Sequence, residues 1–220
     1  MTTLRQILEN TTFRIMSDPK SDSNYTRIKA SIVNGLKIKG NSIENFKATM
    51  VPENPSLGCN LSHSRATSEY PDRGYLCVME DDIDIFEGFD PVVLDMEIPE
   101  TEVSKLDAIY LGISSWGYFE ESPSKARLNW ILSETPVGLP NIFSRIRNMF
   151  SAHAIIYMNK DYAFSISDGV KKASLPNYIE PNDLTNARSQ MSNFCVALKT
   201  PIFYQKGEHE YCTKIFLKDA

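Results

Sequence analysis

Four carboxylates follow directly on an apolar run of strand length, Tyr75–Met79. They stand in Glu80-Asp81-Asp82 and Asp82-Ile83-Asp84, where acids two residues apart point the same way on an extended chain. Carboxylates held this close repel one another, and a hard divalent cation such as Mg²⁺ or Mn²⁺ would relieve that repulsion. The pattern therefore predicts either a cation site or a solvated acidic turn.

The charge is unevenly distributed along the chain, although its total is only −5. Thirteen acids and a single lysine lie between Met79 and Glu121, whereas seven bases and three acids lie between Pro123 and Lys172. This arrangement suits a cation beside a polyanion, and it also fits two solvated faces of opposite sign. In the basic stretch we predict that Arg145 and Arg147 bind a diphosphate. The alternative is a nucleic-acid track that these two form with Arg127, Lys171 and Lys172.

The elements that must position these residues are strands alternating with helices. This alternation predicts an α/β domain with a mostly parallel central sheet. Because ligands bind at the carboxyl ends of strands in such sheets, the acids after Tyr75–Met79 stand where a ligand is expected. The predicted strands are Phe13–Met16, Phe46–Val51, Tyr75–Met79, Leu106–Ile113, Ala152–Met158, Phe194–Leu198 and Ile202–Tyr204. The predicted helices are 23–36, Ser56–Tyr70 and Asn159–Ala173.

Length and composition favour one soluble domain. The 220 residues suffice for a single core, which we place at about 13–205. No apolar stretch approaches the roughly 20 residues of a membrane span, and no secretory signal is visible at the start. The four cysteines form no C-x-x-C pair, which indicates reduced thiols. We therefore expect a cytoplasmic protein without a membrane partner.

Several segments resemble glycosyltransferase family 25, which includes lipooligosaccharide and collagen galactosyltransferases. Leu57–Ala66 (LGCNLSHSRA) is similar to the family's G-C-x-x-S-H helix, and Tyr75–Phe86 (YLCVMEDDIDIF) to its strand ending in E-D-D. Ser151–Ala163 (SAHAIIYMNKDYA) resembles a later strand and helix of the family. Pro181–Leu184 is similar to its late P-x-D segment, and a T-P-I-F-Y-Q ending follows at Gln205.

The resemblance implies one Rossmann-like GT-A domain over residues 1–220 that binds a nucleotide sugar, with a UDP-sugar as the favoured donor. Mn²⁺ or Mg²⁺ would neutralise the diphosphate leaving group. The expected reaction is an inverting transfer of the sugar to a hydroxyl of a glycan, a protein or a modified DNA base. Two alternatives stay open: a non-catalytic protein that binds nucleotide sugars or carbohydrates, and a nucleotidyltransferase.

The resemblance, together with the acidic and basic clusters and the aromatic residues near them, suggests roles for individual residues. The predicted metal ligands are Asp82, Asp84 and His153. The predicted donor-binding residues are Arg27, His63, Glu80, Asp81, Arg145 and Arg147. An inverting transfer needs a carboxylate base on the acceptor hydroxyl, and the candidate is Asp183, with Glu180 behind it. Trp116 could stack on the acceptor, or pack its loop. Asp183 could instead cap a helix, and His63 could simply anchor one.

Overall fold

A computed structural model describes residues 1–38, 42–113, 135–175 and 178–208 of the chain. The strands in this part are β1 Thr2–Thr3, β2 Thr11–Ser17, β3 Ile43–Lys47, β4 Tyr75–Glu80, β5 Ile83–Ile85, β6 Glu97–Ile98, β7 Ala108–Tyr110, β8 Phe143–Arg145, β9 Ala154–Tyr157, β10 Ser174–Leu175, β11 Tyr178–Ile179, β12 Cys195–Leu198 and β13 Phe203–Gln205. The α-helices are α1 Leu4–Glu9, α2 Ser23–Ala30, α3 Pro55–Ser68, α4 Glu100–Val103, α5 Lys160–Lys172 and α6 Asn182–Ser189.

The main sheet of the described residues has seven strands in the order β3-β2-β4-β9-β7-β12-β8. Three of its six pairings are parallel and three are antiparallel, because β9 and β8 run against their neighbours. The predicted α/β class is confirmed, but the mostly parallel sheet is not, since the sheet is mixed. An apolar run marks a buried strand without encoding its direction, which depends on the edge at which the chain enters the sheet.

Helices cover both faces of this sheet, and the alternation along β4 shows how. Cys77 and Met79 pack on the face that carries α1 and α2, whereas Leu76 and Val78 pack on the face of α3 and α5. All four side chains are buried. Burial on both faces explains why Tyr75–Met79 is a continuous apolar run instead of an alternating one.

Several predicted elements form close to where the sequence places them. Asn159 precedes α5 and accepts a hydrogen bond from the Tyr162 backbone N–H, as a helix-capping residue does. The strand predicted at Phe46–Val51 instead forms earlier, as β3, and residues 48–51 form a loop. The last predicted strand also differs. β13 pairs with β5 in a separate two-stranded antiparallel sheet and does not join the main sheet.

Candidate functional site

The acidic segment lies at the carboxyl edge of the main sheet. β2 and β4 run parallel and end there, and Glu80 is the last residue of β4. Its backbone N–H donates to the carbonyl of His153 at 3.0 Å, at the point where the antiparallel β9 begins. Glu80, Asp81 and Asp82 thus lie at the edge where open α/β sheets bind ligands.

A cleft of about 350 Å³ opens beside these acids. One wall is the loop that follows β3, and the other is the first half of α3. The lining residues are Met16, Ala48, Thr49, Met50, Val51, Pro52, Pro55, Gly58, Cys59, Ser62, Glu80, Asp81 and Asp82. The three acids therefore share one cavity with apolar side chains and loop backbone.

Two small residues of α3 hold the loop wall in place. A Cβ atom at Gly58 would lie 2.7 Å from the carbonyl oxygen of Thr49, so a larger residue would push the loop away. Ser62 accepts a hydrogen bond from the Thr49 N–H at 2.8 Å and donates to the Gly58 carbonyl at 2.8 Å. The glycine and serine of the G-C-x-x-S-H pattern thus shape the cleft.

The histidine of the same pattern forms a buried pair with Glu80. His63 is 1 % exposed, and its Nε2 lies 2.9 Å from Oε1 of Glu80. Burial by itself would lower the pKa of His63, but its contacts with Cys59 and Glu80 outweigh burial and raise that pKa to about 10. Burial would likewise raise the pKa of Glu80, and the neighbouring His63 reverses this and lowers it. The contact therefore favours the charged form of each group, an imidazolium beside a carboxylate.

Gln205 is the second hydrogen-bond donor to Glu80. Its Nε2 lies 2.8 Å from Oε2 of Glu80 and 3.5 Å from Oδ2 of Asp82. Asp82 lies at the exposed side of the cleft, where partial burial of its carboxylate and the charge of Glu80 raise its pKa. A raised pKa means that this carboxylate gains from a proton or a cation.

Arg27 and Asp84 form an ion pair beside the cleft. The same guanidinium donates to the backbone carbonyls of Ile83, at 2.7 Å, and Asp81, at 3.1 Å. Arg27 thus stabilises the turn at residues 81–84 through its backbone carbonyls and the Asp84 carboxylate. Asp84 belongs to β5 and has a cationic partner of its own, so the structure does not bring it together with Asp82 as a second open carboxylate.

His153 is buried next to Glu80 and does not line the cleft. It is 1 % exposed, and its Nδ1 lies 3.2 Å from Oγ of Ser151. Its ring packs against Gly112, where a Cβ atom would lie 1.9 Å from Nε2. The nearby His153 helps to lower the pKa of Glu80. His153 therefore lies close to Glu80, as predicted, but its side chain is packed in the protein interior and does not face the cleft.

Asp183 lies in the first turn of α6, near the Glu80–His63 pair. The N-cap residue of α6 is Pro181, so the alternative that Asp183 caps this helix is wrong. Burial and the charge of Glu80 raise the pKa of Asp183 to about 6, and His63 opposes this shift. Asn182 attaches the same turn to α3, since its Nδ2 lies 3.3 Å from Sγ of Cys59.

The remaining predicted residues lie elsewhere. Glu180 is bound to Arg188 by an ion pair. Arg145 is on β8, four strands from β4 and so about 19 Å across the sheet. There its guanidinium donates to the Asn193 carbonyl at 2.5 Å and stacks on Phe194. Arg147 follows β8 and is exposed. The structure does not bring these arginines to the carboxylates, and Trp116 is outside the described residues.

Sulfur, nitrogen and oxygen atoms of Cys59, His63 and Glu80 lie within 4.8 Å of one another. This spacing alone would allow a metal ion. However, His63 already pairs with Glu80, and Cys59 already accepts a hydrogen bond from Asn182. Nδ1 of His63, by contrast, is buried without a hydrogen-bond partner in the described structure.

The chain matches none of the protein-family models and none of the curated proteins with which it was compared. Within the described ranges, no helix combines the length and apolar character needed to cross a bilayer. Sequence reasoning missed Gln205 as a site residue. The sequence shows Gln205 at the end of the T-P-I-F-Y-Q segment. It does not show that β13 pairs with β5, which is what brings Gln205 next to the acids.

Proposed function

We propose that this protein is a metal-dependent glycosyltransferase of the GT-A type, which transfers a sugar from a nucleotide sugar to a hydroxyl acceptor. One observation carries the proposal: the cleft between the β3–α3 loop and α3 ends on Glu80, Asp81 and Asp82, with Asp183 close enough to be influenced by Glu80. A site of this kind can hold a nucleotide, neutralise its diphosphate and provide a base.

The carboxylates suit a hard divalent cation. Asp81 and Asp82 offer oxygen ligands only, the type that Mg²⁺ and Mn²⁺ prefer. Neither forms an ion pair with a lysine or arginine in the described part of the chain. The raised pKa of Asp82 agrees with a carboxylate that gains from a cation. Mn²⁺ or Mg²⁺ would supply Lewis-acid stabilisation of the departing diphosphate.

The hydrogen-bond partners of Glu80, Asp81 and Asp82 indicate a different role for each acid. Both oxygens of Glu80 accept hydrogen bonds, from His63 and Gln205. Asp82 has a weak contact to Gln205 at 3.5 Å, and its carboxylate is accessible from the cleft. We therefore assign Asp82 as the direct ligand of the cation. Glu80 is assigned as an ionised neighbour that helps to orient Asp82 through their shared contact with Gln205. Asp81, whose Oδ2 lies 3.3 Å from Nδ2 of Asn24, would contact the ribose or the water around the cation.

The cleft has a suitable size and lining for the nucleotide. Its volume of about 350 Å³ lies within the roughly 300–1,000 Å³ of small-molecule sites. Met16, Met50 and Val51 provide apolar contacts for a base, and the loop backbone provides hydrogen-bonding groups. The acids at the other end would face the diphosphate through the cation. A UDP-sugar is the favoured donor.

Asp183 is the proposed general base. With a pKa of about 6 it is ionised at neutral pH and more basic than an ordinary aspartate. A base with a pKa near the working pH is the most effective, and such a group contributes about 10²–10⁴-fold to the rate. Deprotonation of the acceptor hydroxyl by Asp183 would allow direct attack on the sugar and inversion at its anomeric carbon. Glu180 has no such role here, since it is held by Arg188.

The experiment is product analysis with a panel of nucleotide sugars and Mn²⁺, with slow hydrolysis by water standing in for an unknown acceptor. Release of a nucleoside diphosphate supports sugar transfer, whereas release of pyrophosphate would show nucleotidyl transfer. Asp82→Asn should abolish the release, and the matched control Asp72→Asn, at an exposed acid outside the cleft, should not. Absence of product with every donor, or full activity of Asp82→Asn, would overturn the proposal.

A further inference from the structure

Gln205 links a distant part of the chain to the carboxylates. It lies 125 residues from Glu80 in sequence, yet its amide nitrogen donates to Glu80 at 2.8 Å and reaches Asp82 at 3.5 Å. Of the side chains that donate to Glu80 in the described structure, one is the cationic His63 and the other is this neutral amide. A single amide group thus contacts two like-charged carboxylates.

The backbone of β13 fixes where this amide can reach. Gln205 is opposite Ile83 in the pairing with β5, and the next residue, Lys206, donates its N–H to the carbonyl of Asp82 at 2.9 Å. At the other end of the strand, the N–H groups of Ile202 and Phe203 both donate to the carbonyl of Leu111. The strand is therefore attached to the acidic turn and to Leu111, the residue that follows β7, and the Gln205 side chain starts from a fixed point.

The hydrogen bonds determine how the two carboxylates are oriented. His63 binds one oxygen of Glu80 and Gln205 binds the other, so this carboxylate cannot rotate without losing a donor. The second N–H of the Gln205 amide faces Oδ2 of Asp82, which leaves Oδ1 for another partner. Because the amide is neutral, it satisfies both acids without a positive charge that would compete with a cation.

We propose that Gln205 is a positioning residue of the cation site, whose amide fixes Glu80 and steers Asp82 so that Asp82 presents an oxygen to the ion. This inference rests on the proposed function. It assigns Gln205 no contact with the ion or the sugar. Outer-shell partners of metal ligands typically change metal affinity by about 10- to 100-fold when they are removed.

The test is direct Mn²⁺ binding, measured as the loss of the paramagnetic resonance signal of free Mn²⁺, with and without UDP. Gln205→Met keeps the length of the side chain and removes both hydrogen bonds, so we expect Mn²⁺ to bind about 10- to 100-fold more weakly. The control Gln6→Met, on the exposed surface of α1, should bind Mn²⁺ as the wild type does.

A second variant separates positioning from stability. Gln205→Lys keeps a donor within reach of both acids and adds a positive charge, so it should preserve the melting temperature without metal and still weaken Mn²⁺ binding. Equal Mn²⁺ affinity of wild type and Gln205→Met would overturn the inference, whatever Gln205→Lys shows, and leave the proposed function standing. A wild-type protein that binds no Mn²⁺, either alone or with UDP, would overturn both.

Discussion

Replacement of Asp183 by asparagine should stabilise the protein and abolish its activity. Burial and the charge of Glu80 raise the pKa of this carboxyl from 3.8 to about 6. A raised pKa means that the folded protein holds the Asp183 proton more tightly than the unfolded chain does. The ionised form therefore costs stability, and this cost develops as the pH rises from about 4 to about 6 and stays constant above. Asparagine cannot ionise, so the variant avoids the cost.

The shift of about two pKa units, at 1.36 kcal/mol per unit, sets an upper bound of about 3 kcal/mol. Solvent reaches the half-buried carboxylate, so we expect about 1–3 kcal/mol at neutral pH. For a chain of this size, each kcal/mol raises the melting temperature by about 2–4 °C. The gain should vanish below about pH 4, where both proteins carry an uncharged group.

The assay is thermal unfolding of both proteins between about pH 4 and pH 8, together with nucleoside diphosphate release. Asp161→Asn is the matched control, because Asp161 holds the same place in the first turn of α5 but is exposed. Loss of its charge from a helix N-terminus should lower stability by about 0.3–1 kcal/mol, the opposite sign. An Asp183→Asn protein no more stable than wild type at neutral pH would refute the electrostatic reasoning. A stabilised variant that still turns over would refute the role as base.

Three further predictions follow from the site. Catalytic efficiency should fall as the pH drops below about 6, where Asp183 becomes protonated; a profile that is flat between about pH 5 and 8 would contradict this. His63→Ala leaves Glu80 without its buried partner and should cost about 3–5 kcal/mol in chemical denaturation; an unchanged denaturation midpoint would contradict this. Gly58→Ala should displace the loop wall and weaken UDP binding in a thermal-shift titration, whereas Gly207→Ala, with open space around it, should not.

The local sequence pattern was sufficient to predict β4, which carries Glu80 at its end, and α3, which packs beside it. The apolar run Tyr75–Met79 predicts a strand buried on both faces, and the structure has β4 there with Glu80 at its end. The predicted helix Ser56–Tyr70 forms within a few residues of its expected place, as α3, and the structure adds that Asn54 caps its start by accepting a hydrogen bond from the Leu57 N–H. These features depend on neighbours along the chain, which a sequence displays directly.

Partners that meet across the fold were not visible in this way. The acids Asp82 and Asp84 look equivalent in sequence, yet Asp84 pairs with Arg27 and Asp82 faces the cleft. Arg145 was predicted at the site from its charge, and the order of strands puts it on the far edge of the sheet. Likewise, the antiparallel direction of β9 depends on the route of the preceding chain, and no residue of the strand reports it.

The sequence by itself thus determined that this is an α/β protein with a carboxylate cluster after a buried strand, since period and composition encode which faces are buried. Only the tertiary structure decided how the cluster is arranged. His63 and Gln205 bind the two oxygens of Glu80, and Asp183 approaches from α6. The physical reason is that hydrogen bonds and charges act over a few ångströms in space, and the groups they join can stand more than a hundred residues apart in the chain.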